Sequence, residues 1–189
     1  MRKTLTFFLL ILLSTLLAAA YGALHDQVSY TLCPEYYTRF KFIEFSMAPD
    51  ANAALQLAHP RYHVALVGVI ATWWFGAFLG IILGLVSLIF KGWNAMFRMG
   101  AGAILRTLGI AVIFGIAGYF YGRFYLARIG VNWPLPDHLV HRDDFISVGS
   151  MHNFGYLGGI VGMLAGIVYL VRERIRMRRR LAADLNNTI

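Results

Sequence analysis

The sequence predicts an all-α membrane fold, a four-helix transmembrane bundle with a small extracytoplasmic β-hairpin cap. Of the 189 residues, 59% are apolar and only 14% are charged, whereas about a quarter of the residues of a soluble domain are charged. The apolar residues are concentrated in four stretches, each near the length of about 20 residues that a helix needs to cross a hydrocarbon core. A spanning segment must satisfy its own backbone hydrogen bonds, so each stretch is expected to be helical.

These stretches divide a single membrane domain, residues 1–189, into spans, loops and a tail. The predicted spans cover about residues 5–23, 64–90, 107–125 and 154–171, with outer loops at 24–63 and 126–153 and a cytoplasmic tail at 172–189. No proline lies in a span, and no Asp, Glu, Lys or His lies in the middle of one. Pumps and secondary carriers usually have ionisable groups or broken helices there, so the pattern argues against those classes.

The charged residues predict the orientation. One side of the predicted topology carries eleven basic and two acidic residues, and the other carries six basic and seven acidic residues, which accounts for the net charge of +8. Short basic loops stay in the cytoplasm, so we expect a multi-pass protein of the inner membrane with cytoplasmic N- and C-termini. The basicity therefore indicates topology in a lipid bilayer, and no nucleic-acid partner is predicted. The basic run at 172–180 is interpreted as a stop-transfer anchor, with contact to anionic lipid headgroups as the alternative.

The first apolar segment has two interpretations. Arg2 and Lys3 precede it and small residues occupy most of positions 18–23, a pattern that also resembles a secretory signal peptide. We expect the segment to be retained as a helix. Cleavage is the alternative, and it would leave three helices.

The second segment is longer than a simple span. Its 27 residues would extend about 40 Å as a helix, against a core of about 30 Å. Trp73 and Trp74 are expected near the outer interface, so that residues 61–70 would project beyond it. Pro60 favours the first turn of a helix, which would leave His59 just outside.

Small residues recur at every fourth position in three segments. This spacing allows helix backbones to approach closely in lipid. It predicts a tightly packed bundle that continues into a homo-oligomer or a partner membrane protein. The residues are Gly68, Thr72, Gly76, Gly80 and Gly84; Ala103, Thr107, Ala111 and Gly115; and Gly158, Gly162 and Gly166.

The first outer loop contains the predicted cap. Residues 27–32 and 38–45 are rich in β-branched and aromatic residues, which favours strands, and residues 33–35 could form the turn between them. Cys33 is the only cysteine, so an internal disulfide is impossible. An unreactive thiol is expected, with an intermolecular disulfide as the alternative.

All six histidines are predicted on the outer side or at its interface. Imidazoles and carboxylates in this arrangement suit zinc, copper or iron, and an axial histidine pair could hold haem. His63 and His152 are the first candidates for metal ligands, and His59, His138 and His141 are further candidates. His25 ends the first segment and His152 begins the fourth, so they could converge at one outer mouth. Ordinary hydrogen bonding of interfacial histidines is the alternative.

The fourth segment opens with a sequence element that resembles one in uncharacterised bacterial inner-membrane proteins. The element is S-M-H-N-F-G-Y-L-G-G at residues 150–159, and the stretch 25–45 is similar as well. The resemblance covers much of the chain outside the first segment. It implies an inner-membrane location and no particular activity.

Two functions are therefore predicted from different classes. The first is a non-enzymatic integral membrane subunit or scaffold that engages a membrane partner through its glycine-lined helices and outer loops. The alternative is a metal- or haem-binding membrane protein that uses the outward histidines. No catalytic residues are predicted, because no set of nucleophile, base and carboxylate can be placed from spacing.

Overall fold

The computed structural model describes residues 2–186 of the chain. Four long helices dominate it, and short helical pieces connect them. In chain order the elements are α1 (Lys3–Leu32), α2 (Pro34–Tyr36), a π-helix (Tyr37–Lys41), α3 (Phe42–Glu44), α4 (Ala51–Leu55), α5 (Pro60–Ser87), α6 (Trp93–Tyr121), a second π-helix (Gly122–Leu126), α7 (Ala127–Ile129) and α8 (Arg142–Asn186).

The four long helices α1, α5, α6 and α8 are each long and apolar enough to cross a membrane. This confirms the prediction of an all-α, multi-pass membrane fold. His59 is the N-cap residue of α5 and Pro60 is its first residue, as the proline predicted. The helices extend beyond the predicted spans, since α1 ends at Leu32 rather than at residue 23 and α8 begins at Arg142 rather than at residue 154.

The long helices form two closely packed antiparallel pairs, α1 with α5 and α6 with α8. In the first pair Gly22 and Gly68 face each other, and a Cβ atom on either would overlap the other's backbone. In the second pair a Cβ atom on Gly162 would lie 2.8 Å from the Cα atom of Thr107. Residues without side chains at these points let the helix backbones come close together, which is the main source of association between helices in lipid.

Two hydrophobic cores join the pairs, one at each end of the bundle. We call the end that holds Lys3 and Arg172 the terminal end, and its core includes Leu10, Leu83 and Met96. We call the opposite end the cap end, where aromatic residues of the segment after α1 pack against α5 and α8. The buried aromatic residues of the cap-end core are Tyr36, Tyr37, Phe42 and Phe145.

The predicted β-hairpin cap is wrong. Residues 27–32 are the last turns of α1, residues 38–45 are helical to position 44, and no strand occurs among residues 2–186. The hydroxyl groups of Ser29 and Thr31 donate hydrogen bonds to the carbonyls of His25 and Gln27, one helical turn earlier, which accommodates these residues in a helix. Burial of the aromatic side chains is achieved by helical packing, and such tertiary contacts override β-propensity. Pro34 begins α2 and is not part of a hairpin turn.

Charged side chains anchor this helical cap to the start of α8. The Glu35 carboxylate accepts hydrogen bonds from the backbone N–H groups of Val140, at 3.0 Å, and His141, at 2.8 Å. Arg123 and Asp144 form an ion pair at 2.6 Å beside it. The Glu35 contacts hold the cap to the residues directly before α8, and the ion pair joins the second π-helix to α8.

We expect Gly162→Ala to destabilise the bundle, because its methyl group would press on the backbone of α6; overpacking of this kind costs about 1–3 kcal/mol. The matched control is Gly109→Ala on α6, since no atom of another described residue lies within 4 Å of a Cβ atom there. Thermal unfolding in one detergent, followed by circular dichroism, should show a lower midpoint for Gly162→Ala alone. Equal midpoints for the two variants would contradict the close packing of α6 and α8.

Candidate metal centre

Two imidazoles and one carboxylate converge where the cap-end parts of α1 and α8 meet. His25 and Asp26 lie on α1, and His152 lies ten residues after the first residue of α8. One oxygen of Asp26, Oδ1, is 3.3 Å from Nδ1 of His25 and 3.2 Å from Nε2 of His152. Asp26 is only 3% exposed. Within the described part of the chain, this is the one group of three potential metal ligands from His, Cys, Asp and Glu.

The protonation of His152 is restricted by its backbone contact. Its Nδ1 lies 2.8 Å from the carbonyl oxygen of Val148, and a carbonyl can only accept a hydrogen bond, so Nδ1 carries the proton. The Nε2 atom then faces Asp26 with either a second proton or a lone pair. A lone pair opposite a carboxylate is repulsive unless a cation lies between them. Metal-binding histidines commonly have this arrangement, in which one nitrogen donates to a carbonyl and the other faces the ion.

Two further polar atoms at this group are buried without a hydrogen-bond partner among the described residues. They are Nε2 of His25 and the hydroxyl oxygen of Tyr21. The Tyr21 and His25 rings are neighbours, with centroids 5.3 Å apart. Buried polar groups in proteins are normally satisfied. These two atoms therefore indicate that a ligand, ion or water completes the site.

Aromatic side chains from the cap cover the group. The ring of Tyr36 stacks on His152 with centroids 5.0 Å apart, and the Tyr37 hydroxyl donates to Ser29 at 3.3 Å. Burial, and secondarily the negative charge of Asp26, raises the pKa of Tyr37 well above its usual range. Tyr37 therefore stays a neutral hydrogen-bond donor, and the cap adds no charge to the site.

A cavity of about 80 Å³ extends from this group toward the terminal end, between the two helix pairs. That volume exceeds the minimum for an ordered water several-fold. The part of the cavity near this group is polar and includes Tyr156, whose hydroxyl donates to the carbonyl of Ala71 at 2.8 Å. The walls toward the terminal end are largely apolar, with Leu17, Phe75, Leu79, Leu83, Ile104 and Leu108. The site thus lies at the polar end of an otherwise apolar cavity.

The geometry suits a small cation. Zinc–ligand bonds of about 2.0–2.2 Å to nitrogen and oxygen place the ligand atoms about 3.0–3.4 Å apart in tetrahedral or octahedral geometry. The two distances at Asp26, 3.2 and 3.3 Å, fall in that range and equally suit hydrogen bonds, and all three candidate ligand atoms lie within 4.8 Å of one another. Haem does not fit between the two imidazoles, because the Asp26 oxygen already occupies the space between the rings.

The structure brings together only some of the histidines predicted as ligands. His152 is in the group, whereas His63 lies beside Phe42 and its Nδ1 atom is 3.0 Å from the carbonyl oxygen of His59. His59, His138 and His141 are exposed at the cap end. None of these four belongs to the three-residue group.

Sequence reasoning did not select His25 and Asp26 as ligands. The first span was predicted to end at residue 23, which would place both residues in a loop, whereas α1 continues to Leu32. The spacing offered one useful indication, the expected convergence of His25 and His152. Asp26, directly after His25, completes the group.

Cys33 does not contribute to the site. The thiol is buried, with 1% exposure, and is free of disulfide bonds. Burial raises the pKa of the Cys33 thiol to about 11. At neutral pH the group is therefore protonated, in agreement with the expected unreactive thiol.

Fold and site together define a multi-pass helical membrane protein with a buried cluster of two histidines and one aspartate. Comparisons of the chain with protein-family models, curated proteins and solved structures give no match.

We expect Cys33 in the folded protein to react with a maleimide at least about 100-fold more slowly than an ordinary cysteine at the same pH. The raised pKa reduces the thiolate fraction by about that factor, and burial reduces access further. The rate should rise about tenfold per pH unit between pH 7 and 10. Mass spectrometry measures the labelled fraction, with protein denatured in sodium dodecyl sulfate as the control. Rapid labelling of the folded chain would contradict the burial of the thiol.

Proposed function

We propose that this chain is a metal-binding membrane protein whose centre is formed by His25, Asp26 and His152. The observation that carries the proposal is the convergence of two imidazole nitrogens on one buried carboxylate oxygen. The proton on Nδ1 of His152, fixed by Val148, leaves Nε2 available to an ion. Two nitrogen ligands and one carboxylate suit a divalent first-row transition ion such as Zn²⁺ or Fe²⁺.

Three protein ligands leave coordination positions open. Structural zinc sites usually have four protein ligands, whereas three ligands with an open position are typical of sites that bind a further molecule. The His25 Nε2 and Tyr21 hydroxyl are buried without a partner among the described residues, and both residues line the cavity that begins at this group. The incomplete ligand set, the unpartnered buried atoms and the adjoining cavity together support a binding role rather than a purely structural one.

The test is metal loading of the full-length protein, purified in a mild detergent, after removal of bound metal with a chelator. We expect about one Zn²⁺ or Co²⁺ per chain by elemental mass spectrometry, and the Co²⁺ form should show visible absorption bands of nitrogen and oxygen coordination. Asp26→Asn and His152→Gln should each lower the affinity at least about 100-fold, since each removes one of three ligands.

The matched controls are His63→Gln and His138→Gln, which remove histidines outside the group. Both should bind metal as the wild type does. Circular dichroism of every variant separates loss of a ligand from loss of the fold. Unchanged affinity in Asp26→Asn and His152→Gln, or equal loss in the controls, would refute the site.

The second candidate function is a membrane subunit or scaffold that engages a partner protein. Apolar side chains exposed at the cap end support it, with Leu55 65%, Tyr62 63% and Val140 78% exposed. On this proposal the protein is a subunit in the inner membrane with both termini cytoplasmic, and its partner contacts the cap. It would then co-purify with a membrane protein and bind no stoichiometric metal, so the same preparation distinguishes the two functions.

A further inference from the structure

A second cavity, of about 320 Å³, lies at the terminal end between the start of α6 and the C-terminal part of α8. We call it the basic groove. Lys91, Arg174 and Arg180 line it, and no acidic side chain of the described residues does so. Glu173, the acid next to Arg174 in sequence, is instead paired with Arg176 at 2.7 Å. The basic groove therefore concentrates positive charge.

One of these cations has an unsatisfied atom. The Nε atom of Arg174 is buried and has no hydrogen-bond partner among the described residues. A guanidinium N–H group can only donate, and a buried donor without an acceptor lowers the stability of the fold. An acceptor supplied from outside the chain would remove that cost.

The first turn of α6 opens into the same groove. Gly92 is its N-cap residue and lines the groove, and the described residues provide neither a side-chain cap nor an acidic residue in the first turn. The first N–H groups of a helix have no partner within it and carry partial positive charge. In this 29-residue helix they add to the field of the three cations, and such an arrangement favours a phosphate group.

Apolar side chains form the rest of the groove, among them Phe90, Met177 and Leu181. A soluble anion would gain nothing from these residues, whereas a lipid places its glycerol and acyl groups beside its phosphate. The groove also lies where α5 ends at Ser87 and α6 begins at Trp93, that is, at the ends of two spanning helices. Basic pockets at this level of membrane proteins bind anionic headgroups.

We propose that the basic groove is a specific site for an anionic phospholipid, with its phosphate held by Lys91, Arg174, Arg180 and the first turn of α6. The acyl chains would contact the apolar wall. This site is independent of the proposed metal centre at the other end of the bundle.

The test uses the full-length protein in detergent, with phosphatidylglycerol or phosphatidylcholine added and bound lipid counted by native mass spectrometry. The wild type should retain phosphatidylglycerol in preference to phosphatidylcholine. The double variant Lys91→Gln/Arg174→Gln should bind phosphatidylglycerol about 25-fold more weakly, since each cation near an anionic headgroup contributes about fivefold. The matched control is Arg178→Gln/Arg179→Gln, which removes the same charge from exposed positions outside the groove.

An equal loss in the control would show that the tail attracts lipid only through its overall charge, and would overturn the proposal. Displacement of phosphatidylglycerol by millimolar inorganic phosphate would also overturn it, because the groove would then be a site for soluble anions. Metal content and the unfolding midpoint of each variant are measured alongside. The metal content should be unchanged and the midpoint should not fall, so a failure at the groove is distinguished from misfolding and from failure of the metal centre.

Discussion

The buried carboxylate of Asp26 is the constraint on which the middle of this molecule depends. An isolated charge in a low-dielectric interior costs several kcal/mol, and it is tolerated only when polar or charged groups surround it. Asp26 belongs to the α1/α5 pair, and the imidazole of His152 belongs to the α6/α8 pair. The contact between Asp26 and His152 therefore fixes the position of one helix pair relative to the other. The aromatic cap, with Tyr36 stacked on His152, shields the group from solvent and so makes this compensation necessary.

The two kinds of helix contact in the bundle explain why a cavity exists. Within each pair, glycines such as Gly22, Gly68 and Gly162 bring the backbones together over a long stretch. Between the pairs, larger side chains meet in the cores at the two ends, including Leu10 and Leu83 at the terminal end and Tyr36 at the cap end. The helices between those cores are held apart, and the space that remains has the Asp26 group at the end nearer the cap. Close packing within the pairs and looser packing between them together determine where the cavity lies.

The class of fold could be predicted because long apolar segments have one stable conformation in a membrane. Helix ends could not be predicted as well, since polar residues such as His25 and Asp26 suggest a loop when their partners are unknown. Their partner, His152, is far away in sequence, and only the packing of α1 near α8 supplies the compensation that allows a helix to continue through them. For this reason the site was found only in part, through His152.

In the cap, the sequence predicted strands where the structure has helices. Residues 38–45 have the composition of a strand, but a hairpin would have exposed one face of each strand. The helical segment instead buries Phe42 in one core together with Tyr36 and Tyr37. Local propensity is a weak guide where one short segment must fill the space between three long helices. How many helices surround residues 38–45 depends on the fold of the whole bundle, and it cannot be read from the sequence of that segment alone.

α8 is a single helix that runs from the cap end to the terminal end of the molecule. Its 45 residues form one continuous helix, about 68 Å long at 1.5 Å per residue, which is more than twice the thickness of a hydrocarbon core. His152 and Arg174 lie on this one rod, about 33 Å apart along its axis. A straight helix tilts and rotates as one body. A change in the tilt angle of α8 in the bilayer therefore displaces both His152 and Arg174. A helix whose apolar stretch is longer than the hydrocarbon core can accommodate the mismatch by tilting, so a change in bilayer thickness is a way to move the two ends of this protein together.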